Sequence, residues 1–485
     1  MSQLKLNHYI NGAYAAPLKN HYLDNVNPAK GEVYSQVASG TSEDVEEAYK
    51  AAAEAFPSWS TTPAEDKFKI LNRIAELIDE SNERFAEAES LDQGKPVWLA
   101  KNEIKRAAQN FRFFATGQMH FASESHAMEK GTINYTLRKP LGVVGCISPW
   151  NLPLYLFSWK IAPALAAGNC VIAKPSEFTP YTANLLGEIC TKAGLPAGVL
   201  NIVQGLGQHV GEALVRHEDI KAISFTGGTA TGKRIASIAA PMFKKSSLEL
   251  GGKNPNIVFD DCDLEKAIET SVKSSFLNQG EICLCGSRIL VQKGIYDSFK
   301  ERFVEKVNDL NVGPPNNKDS FLGAIVSEPH YKKVLGYIEM AKEEGGQILT
   351  GGISLHPKGH EKGFYIAPTV IEGLKAEARC NLEEIFGPVV TIMPFETEEE
   401  ALTIANTVDY GLACTIWTNH LERAHRMANK IQTGIVWINC WLLRDLRTPF
   451  GGTKSSGVGR EGGWEALKFF TEPKNVCIQV NLNEH

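Results

Sequence analysis

From Gly142 to Gly252 the chain alternates short, uninterrupted apolar runs with segments of helical periodicity. GVVGCI, NCVIAK, VLNIVQG, KAISFTG and SSLELGG read as strands. SWKIAPALAAG, TPYTANLLGEICTKAG, GQHVGEALVRH and ATGKRIASIAA read as the helices between them. Strands without polar alternation are buried on both faces, as in a parallel sheet covered by helices on either side. The pattern predicts a doubly wound, Rossmann-like domain.

A second alternation begins at Asn254, with NIVFD, RILVQ, IAPTVIEGL, EEIFGPVVTIMPF and GLACTIWT as strands. Its helices are DLEKAIETSVKSSF, IYDSFKERFVEKV and PHYKKVLGYIEMAKEEGG. Upstream, Thr41-x-x-Asp44 starts an amphipathic helix that runs to about Phe56. Thr62-Pro63-Ala64-Glu65 reads as a capping box with proline at the first helical position, opening a helix through Leu77. Helix then continues to about Gly117, broken at Gly94-Lys95-Pro96. Residues 121–140 alternate polar and apolar and interrupt this region; with the tail TEPKNVCIQV they predict a pair of strands with no core of their own. Such edges are covered by a partner. The fold class is therefore α/β. Residues 1–120 and 141–251 make a Rossmann-like domain, 252–451 a second α/β domain, and 121–140 with 467–485 a β-strand arm.

Composition narrows the function classes. At 485 residues the chain exceeds what one core supports. Hydrophobic content of 43% and charged content of 22% suit a globular enzyme. The net charge of −6 leaves no basic footprint for nucleic acid. No apolar run has the length of a membrane span, and the first residues lack the apolar core of a secretory signal. Ten cysteines without a repeating spacing fit a reduced, cytoplasmic chain. Cys283 and Cys285 form only C-x-C with no second pair or His cluster, so no metal site is expected.

The chemistry concentrates in two stretches. LNQGEICLCGSR, from Leu277 to Arg288, sets two thiols in a polar, glycine-bearing turn. LELGGKNP, ending at Pro255, puts Glu249 at the end of an apolar strand, before Gly251 and Gly252. A thiol for attack and a carboxylate to activate water are the parts of a covalent acyl-transfer site. For a dinucleotide, the pyrophosphate needs backbone N–H groups at a helix N-terminus beside a strand end. ISFTGGTATGKRI supplies that order at Gly227 and Gly228. GGTATGK also satisfies part of a P-loop, but Arg234 follows where a Ser or Thr would hold magnesium.

Both stretches, in this order and at this spacing, resemble the signature segments of the NAD(P)-dependent aldehyde dehydrogenase superfamily, and the resemblance runs through nearly the whole chain. It implies Cys283 as nucleophile, Glu249 as water activator, Asn151 in SPWNLP as oxyanion donor and Lys160 in proton relay. It implies that Gly227, Gly228 and Trp150 contact the cofactor, although many relatives have serine at the position of Gly228. Lys174 and Glu177 are expected at the adenosine ribose, where a carboxylate repels a 2′-phosphate and favours NAD. Glu384 and Phe386 in EEIFGP are expected at the nicotinamide end. Relatives that pass the acyl group to coenzyme A lack the carboxylate of Glu249, so an acid-forming enzyme is implied. Glu281 is acidic where many relatives carry glutamine. The strand arm implies a homodimer or homotetramer.

WLLRDLRTPFGG and NFRFFA resemble the muconic semialdehyde dehydrogenase branch. That branch covers 2-aminomuconic enzymes of tryptophan (kynurenine) breakdown and 2-hydroxymuconic enzymes of catechol breakdown. The match implies that Arg112 and Arg444 hold a distant carboxylate through charge-assisted bonds. NQGEICLCGSR and NFRFFA lean toward the 2-amino substrate. A betaine aldehyde dehydrogenase is a weaker alternative, since arginines repel a quaternary ammonium. A silent structural relative is the alternative from another class, opposed by the full set of Cys283, Glu249 and Asn151.

Overall fold

The computed structural model describes residues 4–129 and 131–479, so residue 130 and residues 480–485 of the expected arm lie outside the described residues. Helix α1 (Ser42–Thr61) begins where the carboxylate of Asp44 accepts the Thr41 N–H at 2.8 Å. It runs on through Pro57 instead of ending at Phe56. Pro57 is exposed, so the carbonyl it leaves without a partner faces water. Two residues on, Trp59 is buried and its indole N–H bonds Leu165 O at 3.3 Å, which anchors the last turn. Helix α2 (Ala64–Glu80) starts after Pro63 rather than Thr62, because the Thr62 hydroxyl turns back to Ser58 O at 3.0 Å on the preceding helix. Helix α3 (Asn82–Gln93) ends at Gly94, whose φ is +89°, and α4 (Val97–Met119) follows Pro96. Helix α5 (Pro153–Ala166) is buried along its whole length.

Five parallel strands form the centre of an eight-stranded sheet: Leu200–Ile202, Cys170–Lys174, Val143–Ile147, Ala222–Thr226 and Lys245–Glu249, in that spatial order. Antiparallel strands close both sides, His8–Ile10 beside Leu200–Ile202 and Gly457–Val458 beside Lys245–Glu249. The second sheet has seven strands, in the order Gln347–Thr350, Thr369–Glu372, Val389–Phe395, Arg288–Gln292, Pro255–Val258, Ala413–Trp417 and Ile435–Ile438. All its pairings are parallel except the first. Lys245–Glu249 ends one sheet and Pro255–Val258 starts in the other, so LELGGKNP is the seam between them.

Thr132–Pro140 pairs antiparallel with Thr471–Gln479 along its entire length. Ser125–Ala127 adds a third strand on the other edge, where a simple pair is expected. These strands are largely exposed in the single chain.

A buried arginine pins the second sheet to its surroundings. Arg288 donates to Lys253 O at 3.0 Å, Ile404 O at 2.9 Å and Ala405 O at 2.9 Å. Arg288→Met removes charge-assisted donors from the carbonyls of Lys253, Ile404 and Ala405, of which, among the described residues, only Ile404 O keeps another donor, the Thr407 N–H at 3.4 Å; each lost bond is worth about 1–3 kcal/mol. It is expected to lower the thermal midpoint by several degrees while Arg447→Ala, at an exposed pair with Asp445, leaves it unchanged.

Candidate active site

Past the helix Leu264–Phe276 the chain enters three successive left-handed residues, Asn278, Gln279 and Gly280, with φ of 54°, 56° and 71°. Side-chain bonds over-determine this strained turn. Asn278 Nδ2 donates to Asn151 O at 3.1 Å, Gln279 Nε2 to Ala324 O at 3.3 Å, and Gln279 Oε1 accepts Gly323 N–H at 3.1 Å. Gly280 is obligatory, since a Cβ there would overlap the carbonyl of Gly387. The turn delivers Cys283 to a junction of two cavities, with its side chain partly exposed. Cys285 is buried: Ile282–Cys285 is a tight turn, closed by Cys285 N–H to Ile282 O at 2.9 Å, and not the start of a strand.

Asn151 stands beside that turn, on the segment that opens α5. Its Nδ2 donates to Glu281 O at 2.9 Å, which orients the amide and leaves its second N–H for the cavity. Its carbonyl is held by Lys95 Nζ at 2.9 Å. Lys95 is fully buried and paired with Glu103, with Glu89 at 3.6 Å. Neither Lys95 nor this triad is visible in the sequence, where GKP reads as a helix break.

Glu249 is buried, and neither carboxyl oxygen has a partner among the described residues. Its pKa is raised well above the usual range by burial and by Glu461, against Lys160, Arg460 and Arg444. Lys160 Nζ bonds Glu461 at 2.7 Å and Ser224 Oγ at 3.2 Å, and Ser224 Oγ lies 3.1 Å from Glu461. Glu461 is a residue that sequence reading misses, since its partner lies three hundred positions upstream. Burial, Glu384 and Glu249 push the Cys283 thiol up to about 12, with Arg444 acting the other way. Glu384 is half-buried, takes the Gly252 N–H at 2.9 Å, and occupies space that a Cβ on Gly251 would fill.

A cleft of about 720 Å³ opens at the carboxyl ends of the parallel strands. Trp150, Lys174, Glu177, Gly227 and Gly228 line it. Lys174 Nζ meets Glu177 at 3.0 Å. Gly227 lies against the ring of Phe225, so no side chain fits there, whereas the space over Gly228, at the N-terminus of the helix Thr229–Ala239, is open. Backbone donors facing open space at a helix start suit a pyrophosphate. Arg234 also lines the cleft but is bound to Glu212 at 2.6 Å, which cancels the nearby charge a 2′-phosphate would need. A passage of about 250 Å³, lined by Trp150, Asn151, Glu384 and Phe386, joins the cleft to Cys283. Thr226 Oγ1, buried without a partner, faces all three spaces. These residues fit a dinucleotide laid from cleft to thiol.

On the other side of Cys283 lies a narrow, mostly apolar cavity of about 80 Å³ that also reaches Glu249, Arg106 and Arg444. Arg444 Nη1 donates to the Tyr155 hydroxyl at 2.9 Å, and its guanidinium lies 4.2 Å from the Phe450 ring centre. The Arg106 guanidinium stacks on the opposite feature of the same residue, 4.0 Å above the Tyr155 ring. Neither arginine has a carboxylate partner among the described residues. Arg112 does not reach this cavity, contrary to expectation. It lies on another face of α4 and is neutralised by Asp79 at 2.5 Å. The α4 face that lines the cavity carries Leu99, Asn102, Glu103 and Arg106, an i, i+3, i+4, i+7 set that helical periodicity could have picked out.

Thiol, orphaned carboxyl, oriented amide and dinucleotide cleft are the working parts of an aldehyde oxidoreductase. Residues 15–476 match the aldehyde dehydrogenase family, and the chain belongs to it. It is 50% identical over 482 residues to human 2-aminomuconic semialdehyde dehydrogenase, covering 98% of each chain. Against 2-hydroxymuconic semialdehyde dehydrogenase of Pseudomonas sp. (strain CF600) it is 45% identical over 484 residues, covering 98% of this chain and 100% of the other. The NAD+ complex of an aldehyde dehydrogenase from Bacillus cereus superposes with a TM-score of 0.96 at 38% identity, covering 98% of this chain and 97% of that one. The protein is an oxidoreductase acting on aldehydes, and no described helix is long and apolar enough to cross a membrane.

A thiol held near 12 is almost wholly protonated at neutral pH. Alkylation of Cys283 by iodoacetamide without cofactor is therefore expected to accelerate about tenfold per pH unit from roughly pH 7 to pH 10, with no plateau, because only the thiolate reacts. NAD+ brings a cationic ring to the thiol and is expected to speed alkylation at pH 7.

Proposed function

We propose that this enzyme oxidises a semialdehyde with a distal carboxylate to the corresponding acid, with NAD as hydride acceptor and 2-aminomuconate 6-semialdehyde as preferred substrate. The observation that carries this is the pair of unpaired guanidinium groups, Arg106 and Arg444, converging on Tyr155 in an apolar cavity that ends at Cys283. A half-buried cation pair with no carboxylate partner among the described residues favours a carboxylate and disfavours a cationic or neutral tail. The 50% identity to the human 2-aminomuconic enzyme supports the 2-amino substrate. The 45% identity to a 2-hydroxymuconic enzyme keeps that semialdehyde as the second reading, since the same clamp accepts both.

In the proposed mechanism Cys283 gives up its thiol proton to solvent as Sγ bonds the aldehyde carbon, and the resulting oxyanion takes the free N–H of Asn151 and the backbone N–H of Cys283. Bound NAD supplies the hydride acceptor that lets the carbon on sulfur reach the thioester level. Glu249, with no bond to break and a raised affinity for protons, takes a proton from water as its oxygen attacks that carbon. The C–S bond then breaks, releasing the acid and returning the thiol. Glu461 and Lys160 continue from Glu249 toward the protein interior and provide a route for the proton. Lys174, Glu177, Gly227, Gly228 and Trp150 hold the dinucleotide, and Glu384 and Phe386 border its reactive end.

The test is NADH formation from 2-hydroxymuconic semialdehyde beside a neutral aldehyde of similar size. For Arg106→Ala/Arg444→Ala, the carboxylate substrate is expected to lose about 10²–10⁴-fold in kcat/KM, two charge-assisted contacts at roughly 1.5–3 kcal/mol each. The neutral aldehyde should change little, and Arg112→Ala should be silent on both. Equal losses on both substrates, or none, would overturn the clamp.

A further inference from the structure

Hydride leaving a carbon on Cys283 must be taken up within the passage that joins the thiol to the cleft, because reacting atoms approach to about 3–3.5 Å. One wall of that passage is Phe386, a phenylalanine with φ of +62°. A non-glycine residue in the left-handed region costs on the order of 1–3 kcal/mol and persists only where its neighbours enforce it. The enforcing group is His330, whose Nε2 lies 2.6 Å from Phe386 O. A carbonyl only accepts, so the imidazole carries its proton on Nε2. That nitrogen also lies 3.8 Å from Glu281 Oε1. The ring packs 5.0 Å from Trp150, which stands edge-on to Phe386 at 5.3 Å, so three rings close one end of the passage. Glu281 is two residues before Cys283, and its carbonyl orients Asn151. Its carboxyl is fixed from behind by Gln93 Nε2 at 2.5 Å and Val326 N–H at 3.3 Å. A single imidazole is therefore bonded to the turn bearing Glu384 and Phe386 and packed between Trp150 and the turn bearing Cys283.

We infer that His330 is a positioning residue: it locks the strained Phe386 turn against the Cys283 turn, so that the nicotinamide end of the bound dinucleotide faces the carbon on sulfur. The inference rests on the reading of Cys283 as the residue that carries the substrate carbon. Burial lowers the imidazole to about 4, so it stays a neutral donor at ordinary pH. The Nε2–H bond thus acts as a fixed brace rather than a switch.

The experiment compares wild type, His330→Leu and His330→Gln by tryptophan-fluorescence titration with NAD+ and with AMP, which fills only the adenosine end of the cleft. His330→Leu is expected to weaken NAD+ by about tenfold, the scale of one hydrogen bond, and AMP by less than about twofold. The deuterium isotope effect on kcat with a 1-deuterated aldehyde should rise in the same variant. His330→Gln, which can still donate to Phe386 O, should restore both. Parallel weakening of NAD+ and AMP, no weakening of either, or a glutamine variant as poor as leucine overturns the inference. Cys283 alkylation at the wild-type rate in both variants shows that the thiol turn is intact. Failure of the underlying reading has a separate sign, NADH formation that survives Cys283→Ala.

Discussion

Everything at this site depends on a buried ammonium group. Lys95, sealed from solvent, holds the carbonyl of Asn151 and is itself held by Glu103 and Glu89. An ion in the interior is tolerated only when its hydrogen-bonding capacity is nearly filled, so the three segments that supply these groups cannot shift independently. Asn151 is thereby fixed on its backbone side, and Glu281 fixes it on its side-chain side. The amide proposed as oxyanion donor is held before any substrate arrives, which is the condition under which a dipole stabilises developing charge without reorganising.

The same dry surroundings work against the nucleophile. Burial of the thiol, together with the nearby carboxyls of Glu384 and Glu249, keeps it protonated. Among the charged groups nearby, Arg444 opposes this from the narrow apolar cavity, and the proposed cofactor would add positive charge from the other side. The resting enzyme is consequently protected from adventitious electrophiles and oxidants, whose targets are thiolates. The orphaned oxygens of Glu249 are the counterpart of this arrangement: a carboxyl with no protein partner is one that water can use.

How far the sequence carried the reading depends on whether a feature is contiguous. Cys283, Glu249 and Gly227–Gly228 each sit inside a short run whose residue types and turn requirements identify it. The parallel sheets were legible because burial on both faces erases polar alternation. Arg106 was hidden because one motif drew attention to Arg112, whereas the relevant signal was the helix face shared with Leu99 and Glu103. Glu461 and Lys95 act through partners distant in the chain, and no local pattern encodes such a meeting. The short strand Ser125–Ala127 carries too few residues to register as periodic and forms only because Thr132–Pro140 offers it an edge.

The pairing of Thr471–Gln479 with Thr132–Pro140 has a consequence for how the molecule comes into being. Gly457–Val458 completes the first sheet beside Glu249, Glu461 reaches Lys160, and Asn169 Nδ2 bonds Phe470 O at 2.9 Å, all across more than two hundred positions of sequence. Contacts of such long sequence separation form late. The parallel strands of the first sheet are translated early yet must wait, with an open edge, for Gly457–Val458. The growing polypeptide therefore carries Cys283 for some time before Glu461 exists to reach Lys160.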